Sequence, residues 1–158
     1  MLDPTDRTIL DLLQANARTS NADIARRLGM APSAILDRIR KLERRGVIRG
    51  YTTLIDPAAV GLRLTAFIQI QTQERAGTST IGQALARIPE VLEVHHVAGD
   101  DCYLAKVRVP DTASLSRLIR ERFGRLRGVR STRSTIVLTT VKEATGLPLG
   151  AAGAADGS

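Results

Sequence analysis

Residues 20–45 read SNADIARRLGMAPSAILDRIRKLERR and contain two short helix patterns separated by a glycine turn. Ser20 is a typical N-cap, and Gly29 suits a helix end in the left-handed conformation. Pro32 favours the first position of the next helix. The apolar stripe of that next helix is Ile35, Ile39 and Leu42. Two helices joined by so short a turn predict a helix-turn-helix motif at about residues 21–40.

Basic residues are concentrated in this part of the chain. The net charge is +7, and eight basic but only two acidic residues lie between Arg26 and Arg49. The face opposite the apolar stripe of the third helix is therefore basic, which indicates a polyanionic partner, double-stranded DNA first. We expect the start of this helix to reach bases and its later cations to reach phosphates. The predicted DNA-binding residues are Ser33, Ala34, Asp37, Arg38, Arg40, Lys41, Arg44, Arg45 and Arg49.

The flanking residues complete a small N-terminal domain. Asp3 and Pro4 favour the start of a first helix with apolar residues at helical spacing. The segment 47–53 is typical of a short strand pair or wing. We therefore predict a (winged) helix-turn-helix DNA-binding domain over residues 1–50 and a strand linker over residues 51–61.

The pattern of the next eighty residues is βαββαβ. Alternating and helical periodicities predict an α+β, ferredoxin-like domain over residues 62–143, in which both helices cover one face of a four-stranded antiparallel sheet. The predicted elements are a strand at 62–71, a helix capped by Thr80 and ended by Pro89, a hairpin of strands 91–98 and 102–109, a helix after Asp111, and a strand at 131–141.

The helix-free face of this sheet would carry Phe67, Leu104 and Val137. Such a face is too apolar to leave exposed, and a symmetric homodimer is the simplest cover. Residues 144–158 are small and glycine-rich, which predicts a flexible tail.

Several segments resemble the Lrp/AsnC family of bacterial and archaeal feast/famine regulators. The matching segments are the start of the chain with Asp3 and Asp6, the turn 28–33, the third helix with its continuation 37–51, and the hairpin 97–104. The resemblance covers roughly residues 2–143. It implies a DNA-binding transcriptional regulator with a RAM-type C-terminal domain, a homodimer that assembles further to an octamer.

The resemblance also implies a site for a free amino acid near the glycine turn of the hairpin, at an interface between dimers. A glycine turn exposes N–H groups for the effector carboxylate, and carboxylates suit its ammonium group. The residues carried over are Gly99, Asp100, Asp101, Cys102, Tyr103 and, as weaker candidates, Ser134 and Thr135. Cys102 stands where family members often carry Asp, and Ala31 occupies the usual Ser cap before Pro32.

Other chemistry finds little support in the sequence. The single cysteine excludes an intramolecular disulfide and a multi-thiolate zinc site. His95 and His96 are adjacent on a strand and should point to opposite faces, so we predict no metal site. No catalytic motif is found, so we predict neither an enzyme nor a cofactor. No apolar run suits a membrane span and no secretory signal is visible, so we expect a cytoplasmic, nucleoid-associated protein without membrane contact.

Three alternatives remain at this level. The βαββαβ order is also an RNA-recognition topology, but that platform needs strand aromatics, and the chain has only Tyr51, Phe67, Tyr103 and Phe123. A second alternative is an amino-acid-binding enzyme or regulatory subunit whose helical region is only a docking module. The third is a helical bundle without a DNA role.

Overall fold

The computed structural model describes residues 2–73, 79–99 and 102–150. The chain divides into two compact units. The first, the helical unit, takes the described residues of Met1–Leu54 and Glu143–Ser158. The second, the sheet unit, takes the described residues of Ile55–Lys142.

The helical unit has three helices, α1 (Pro4–Ala15), α2 (Asn21–Leu28) and α3 (Pro32–Arg44). The Asp3 side chain caps α1 by accepting the Asp6 N–H at 2.7 Å. The Ser20 hydroxyl oxygen caps α2 by accepting the Asp23 N–H at 3.1 Å. These two caps and the left-handed Gly29 that follows α2, with φ of 64°, confirm the predicted helix signals.

The apolar stripes of the three helices meet in one core. Fully or nearly fully buried residues come from every helix: Ile9, Ile24, Ala25, Ile35 and Ile39. Because the stripe of α3 faces inward as predicted, its opposite, basic face is left on the surface. The helix-turn-helix prediction is confirmed.

The segment after α3 differs from its prediction. Residues 47–63, all of them described, contain no strand, so the short strand pair or wing at 47–53 and the strand linker at 51–61 are not formed in the single chain. A strand needs a hydrogen-bonded neighbour, and the segment has none among the described residues. Its apolar side chains stay exposed, among them Leu54 (76%) and Ile55 (65%).

The sheet unit has the predicted βαββαβ order. Its elements are β1 (Leu64–Thr72), α4 (Thr80–Ala86), β2 (Val91–His96), β3 (Tyr103–Val109), α5 (Thr112–Glu121), a 3-10 turn (Phe123–Arg125) and β4 (Val129–Ile136). The strands form one four-stranded sheet in the order β2-β3-β1-β4. All three neighbouring pairs are antiparallel, which confirms the predicted fold.

One face of the sheet carries the core. Ala66, Ile68 and Ile70 of β1 are fully buried, and residues of both α4 and α5 belong to the same cluster. The alternation of β1 therefore places Phe67 on the other face, which we call the open face. This alternation determines which residues of β1 face the core and which remain accessible to a partner.

Several element ends differ from prediction; β1 spans Leu64–Thr72 rather than 62–71, and β2 ends at His96 rather than at residue 98. The N-cap of α4 is Ser79 rather than Thr80, and its side chain makes no cap bond to the backbone. β4 ends at Ile136, short of the predicted strand end at residue 141. Because the Val137 N–H bonds to the Thr65 carbonyl and β1 begins at Leu64, residues 138–141 run past the end of their partner strand.

The predicted flexible tail is described as far as Gly150, and this part contacts α1. The Gln14 side-chain amide accepts the Leu147 N–H at 2.6 Å and donates to the Leu147 carbonyl at 3.1 Å. Arg7 donates to the Leu149 carbonyl at 2.9 Å. Side chains of α1 thus hold the backbone of residues 147–149, whereas the composition of the tail predicts a free segment.

Candidate nucleic-acid interface and effector site

The outer face of α3 exposes most of the predicted DNA-binding residues. Ala34 is half-buried, as is Arg38, which lies at the edge of this face. The exposed members are Ser33, Asp37, Arg40, Lys41, Arg44, Arg45 and, beyond the helix, Arg49. We call the exposed cations Arg40, Lys41, Arg44 and Arg45 the basic face.

The cations of the basic face are not neutralised by the protein. Within the described residues, Arg40, Lys41 and Arg44 make no ion pair or side-chain hydrogen bond. Each guanidinium or ammonium group is therefore left facing solvent and its counterions. Binding to phosphates would release those ions, which is the main sequence-independent source of affinity for nucleic acid.

Arg38 is placed differently from its neighbours on α3. Its Nη1 lies 2.6 Å from Asp3 Oδ2 and 2.8 Å from Asp6 Oδ1. The Asp6 N–H and then the Arg38 guanidinium lower the pKa of Asp3 from its usual value. Sequence reasoning groups Arg38 with the DNA contacts and overlooks this cluster.

A sequence signal for the cluster exists at Asp6. Asp6 lies three residues before Ile9 and four before Leu10, so it occupies the inward face of α1. It is indeed only 8% exposed. Since a buried carboxylate needs a cation or several donors, its position predicts a basic partner, although not which one.

The end of α3 is joined to the following segment. The Tyr51 hydroxyl donates to Glu43 Oε1 at 3.0 Å. Burial, and then the Glu43 carboxylate, raise the pKa of Tyr51 above its usual value. Tyr51 therefore stays a neutral donor at physiological pH and fixes the chain as it leaves the basic face.

Two of the predicted effector residues, Gly99 and Cys102, lie at the turn end of the β2–β3 hairpin. Gly99 has a φ of 121°, which L side chains rarely adopt, so the turn depends on glycine. Cys102 is half-buried, and its N–H bonds to the Ile70 carbonyl at 3.0 Å. Asp100 and Asp101 lie outside the described residues.

The other candidate effector residues are not brought together within one chain. Tyr103 is a core residue, 3% exposed, whose ring lies against Gly82 on the helix side of the sheet. Ser134 and Thr135 are exposed on β4 and, as strand neighbours, point to opposite faces. β1 separates them from β3, so Ser134 and Tyr103 do not lie on adjacent strands.

The two histidines have separate surroundings, as their adjacent positions predict. His95 Nε2 lies 3.3 Å from Glu93 Oε2, whereas the His96 ring lies beside the Tyr103 ring with a centroid distance of 5.2 Å. In the described ranges, no group of three His, Cys, Asp or Glu side chains is arranged to hold a metal ion. None of the described helices is long and apolar enough to cross a bilayer.

The aromatic residues do not form a base-stacking platform. Tyr103 and Phe123 are buried in the core, and Phe67 is half-buried on the open face. Tyr51 lies outside the sheet. Because RNA platforms of this topology need several accessible strand aromatics, the arrangement disfavours the RNA alternative.

Two family models match separate parts of the chain. Residues 2–49 match a winged helix-turn-helix DNA-binding model, and residues 65–147 match the Lrp/AsnC ligand binding domain. The leucine-responsive regulatory protein of Escherichia coli K12 is 40% identical over 145 residues, which cover 90% of this chain and 88% of that protein.

Solved structures agree with this assignment. A transcriptional regulator of Neisseria meningitidis in complex with L-methionine superposes with a TM-score of 0.87 at 32% identity, covering 94% of this chain and 97% of that one. A feast or famine regulatory protein of M. tuberculosis, complexed with L-methionine, superposes with a TM-score of 0.85 at 35% identity, covering 93% and 99%. The chain belongs to the Lrp/AsnC family of transcriptional regulators, with a helix-turn-helix DNA-binding domain followed by a ligand-binding domain.

Proposed function

We propose that this protein regulates transcription by binding duplex DNA through the basic face of α3, as a homodimer or larger assembly modulated by a small amino acid. The observation that carries the proposal is the exposed, uncompensated row of cations at Arg40, Lys41 and Arg44. A helix with an apolar back and a basic front fits the major groove, where its first residues meet base edges. Ser33, Ala34 and Asp37 are those first residues.

The DNA proposal is tested by salt-dependent binding. Arg40→Ala with Arg44→Ala removes two phosphate contacts, so the slope of log K against log salt falls by about 1.8, at ~0.9 per contact. The matched control is Arg117→Ala, an exposed arginine on α5 of the sheet unit. An unchanged slope in the double variant would assign DNA binding to another surface.

The homodimer proposal depends on the open face of the sheet. Phe67 and Leu104 are diagonal neighbours there, because Phe67 pairs with Lys106 and Gln69 with Leu104. Beyond β4, Leu138 and Val141 are each 95% exposed. These apolar side chains would be buried by a second copy of the chain, and four such dimers would then build an octamer.

Sedimentation of a Phe67→Asp variant tests the dimer. A buried, unpaired carboxylate opposes association, so we expect a monomer at concentrations where the wild-type chain is a dimer. Ala86→Asp, on the exposed side of α4, adds the same charge elsewhere and should leave the dimer intact. A dimeric Phe67→Asp chain would place the interface on another surface.

The effector proposal places an amino acid near Gly99 and Cys102, at an interface between dimers. The solved relatives with bound L-methionine favour this ligand class. Asp100, Asp101, Tyr103, Ser134 and Thr135 are the further candidates, and residues of a second dimer would complete the site. A ligand selective for the native state raises the unfolding temperature with its concentration, so we expect a thermal shift with methionine or leucine. No shift with any of the twenty amino acids would contradict an amino-acid effector.

The same proposal makes the protein a regulator rather than an enzyme, acting in the bacterial cytoplasm on the nucleoid without a cofactor. The regulators among its relatives support this role. Turnover of an amino acid by the purified chain would contradict it.

A further inference from the structure

Three residues, Asp3, Asp6 and Arg38, form the Arg38 cluster at the start of α1. The Arg38 Nη1 donates to Asp3 Oδ2 at 2.6 Å and to Asp6 Oδ1 at 2.8 Å. Asp3 uses its other oxygen, Oδ1, to accept the Asp6 N–H at 2.7 Å. One guanidinium thus binds both the cap of α1 and a carboxylate within its first turn.

The cluster joins elements that are far apart in sequence. Arg38 follows Asp3 by 35 residues and Asp6 by 32. On the inner side, the apolar contact of Ile9 with the α3 residues Ile35 and Ile39 belongs to the core. Apolar contacts are non-directional, whereas charge-assisted hydrogen bonds have a defined geometry, so the cluster fixes how far α3 can rotate about its own axis.

Because the Asp6 carboxylate is buried, loss of its contact with Arg38 is costly. The Asp6 side chain is 12% exposed and the Arg38 side chain 33%. Removing the cation would leave a buried carboxylate without its charged partner, which is strongly unfavourable. Arg38 is therefore held inward, although its neighbours Asp37 and Lys41 are exposed.

We propose that Arg38 is a positioning residue of the DNA-binding surface, which orients the basic face of α3 through Asp3 and Asp6 and does not itself contact phosphate. The inference rests on the proposed DNA interface. The two carboxylates already compensate the Arg38 charge, so DNA binding would release no counterion from it. The rotation of α3 in turn decides whether Arg40 and Arg44 reach phosphates together with Ser33 at the bases.

The decisive variant is Asp6→Asn, because the two roles predict opposite signs. If Arg38 were a phosphate contact, removal of a nearby negative charge would free it and strengthen DNA binding. If Arg38 positions α3, the same change weakens DNA binding by about tenfold, the factor that corresponds to ~1.4 kcal/mol. Asp11→Asn is the matched control, since Asp11 is an exposed acid on α1, outside the proposed DNA interface and without an ion pair in the described residues, and it should bind DNA as tightly as wild type.

A second measurement covers the case in which Asp6→Asn folds poorly. Arg38→Lys keeps the charge and one contact, so it should retain part of the wild-type affinity, and its log–log salt slope should equal that of wild type. Arg40→Ala should lower that slope by ~0.9. Tighter DNA binding by Asp6→Asn would overturn the proposal, as would a folded Arg38→Gln variant whose salt slope is lower than that of wild type by about 0.9.

Failure of the proposed interface would look different. If the chain that carries both Arg40→Ala and Arg44→Ala binds DNA as tightly as wild type, the basic face is not the DNA-binding surface, whatever the role of Arg38. The cluster itself is tested without DNA by a double-mutant cycle between Asp6→Asn and Arg38→Gln, in which the unfolding free energies should be non-additive. Additive values would overturn the cluster independently of any DNA result.

Discussion

Gly82 shows how one missing methyl group permits the packing of a helix on a sheet. A Cβ at this position would lie 2.6 Å from Tyr103 Cε1, closer than side chains approach in proteins. Tyr103 is 3% exposed and its ring belongs to the buried core, so it has little room to retreat. The glycine, although unfavourable within a helix, lets α4 approach β3 closely.

We predict that Gly82→Ala destabilises the sheet unit by about 1–3 kcal/mol, because overpacking outweighs the better helix propensity of alanine. Urea unfolding measures the change. Gly124→Ala is the control, since its added Cβ would meet only the Ile119 carbonyl at 3.4 Å. A stabilised Gly82→Ala chain would contradict the close packing on Tyr103.

The loss of folding stability in acid can also be traced to single residues. The Ser114 N–H, bonded to Asp111 Oδ1 at 2.7 Å, is the main cause that lowers the pKa of Asp111. Since the pKa in the folded state lies below that in the unfolded state, this stabilisation is present at neutral pH and is lost as the pH falls through the folded value.

We therefore predict that Asp111→Asn reduces the loss of stability on acidification, because asparagine caps α5 without a titrating group. Urea midpoints at pH 7 and pH 3 give the comparison. Asp37→Asn, whose carboxylate makes no ion pair in the described ranges, should keep the wild-type acid sensitivity. If Asp111→Asn and wild type lose the same stability between pH 7 and pH 3, the Asp111 cap does not contribute to the acid sensitivity.

At the scale of residues, contacts between sequence neighbours could be predicted from the sequence, and contacts between distant residues could not. Asp3, Ser20 and Asp111 cap helices through atoms three residues away, so their roles follow from the sequence alone. Arg38 meets Asp6 across 32 residues, and only the inward position of Asp6 indicates that a cation is required. Side-chain partners that depend on how helices pack have no local pattern.

At the scale of elements, α3 lacks the cap that α1, α2 and α5 possess. Ala31 has the β-region dihedrals of an N-cap, φ −72° and ψ 141°, but no side-chain oxygen. The backbone is therefore already arranged for a hydroxyl to accept an N–H of the first turn.

We predict that Ala31→Ser stabilises the helical unit by about 0.5–2 kcal/mol. Thermal or urea unfolding checks the value, with Ala17→Ser in the exposed turn after α1 as the control, for which the expected change is within about 0.5 kcal/mol. Equal effects of the two substitutions would mean that the hydroxyl introduced before Pro32 does not cap the helix.

Elements with a partner in the same chain were predicted more accurately than those without one. The hairpin and the alternation of β1 are confirmed, because each strand has a neighbour in the sheet. The linker 51–61, predicted as a strand, has no neighbouring strand in the part of the chain that the structure describes, and β4 stops where β1 begins. Strand propensity describes a residue's fit to a sheet, not whether a neighbour exists.

At the scale of the whole molecule, the tail is the part that differs most from what its composition predicts. Gln14 holds the Leu147 backbone by two hydrogen bonds, and Arg7 holds the Leu149 carbonyl. Side-chain bonds to a backbone impose almost no sequence requirement on the tail. Its glycine, alanine and proline content therefore predicts flexibility and gives no sign of attachment.

We predict that Gln14→Ala releases residues 143–150, so their amides exchange hydrogen with solvent more rapidly, as mass spectrometry can measure. The bonds are exposed, so the effect on global stability should stay within about 1 kcal/mol. Asp11→Ala, an exposed change on the same helix, is the control and should leave exchange in the tail unaltered. Unchanged exchange in Gln14→Ala would remove the reason for treating the tail as attached.

The attachment of the tail also bears on how the chain is made. The helical unit takes its parts from both ends of the sequence, with the sheet unit between them. On the ribosome, α1, α2 and α3 emerge early, but Gln14 meets Leu147 only after every strand has been synthesised. The last hydrogen bonds of the first-made unit therefore form only after the whole sheet unit has been synthesised, and a nascent chain stalled before Leu147 would present α1 with its Gln14 amide still bound to water.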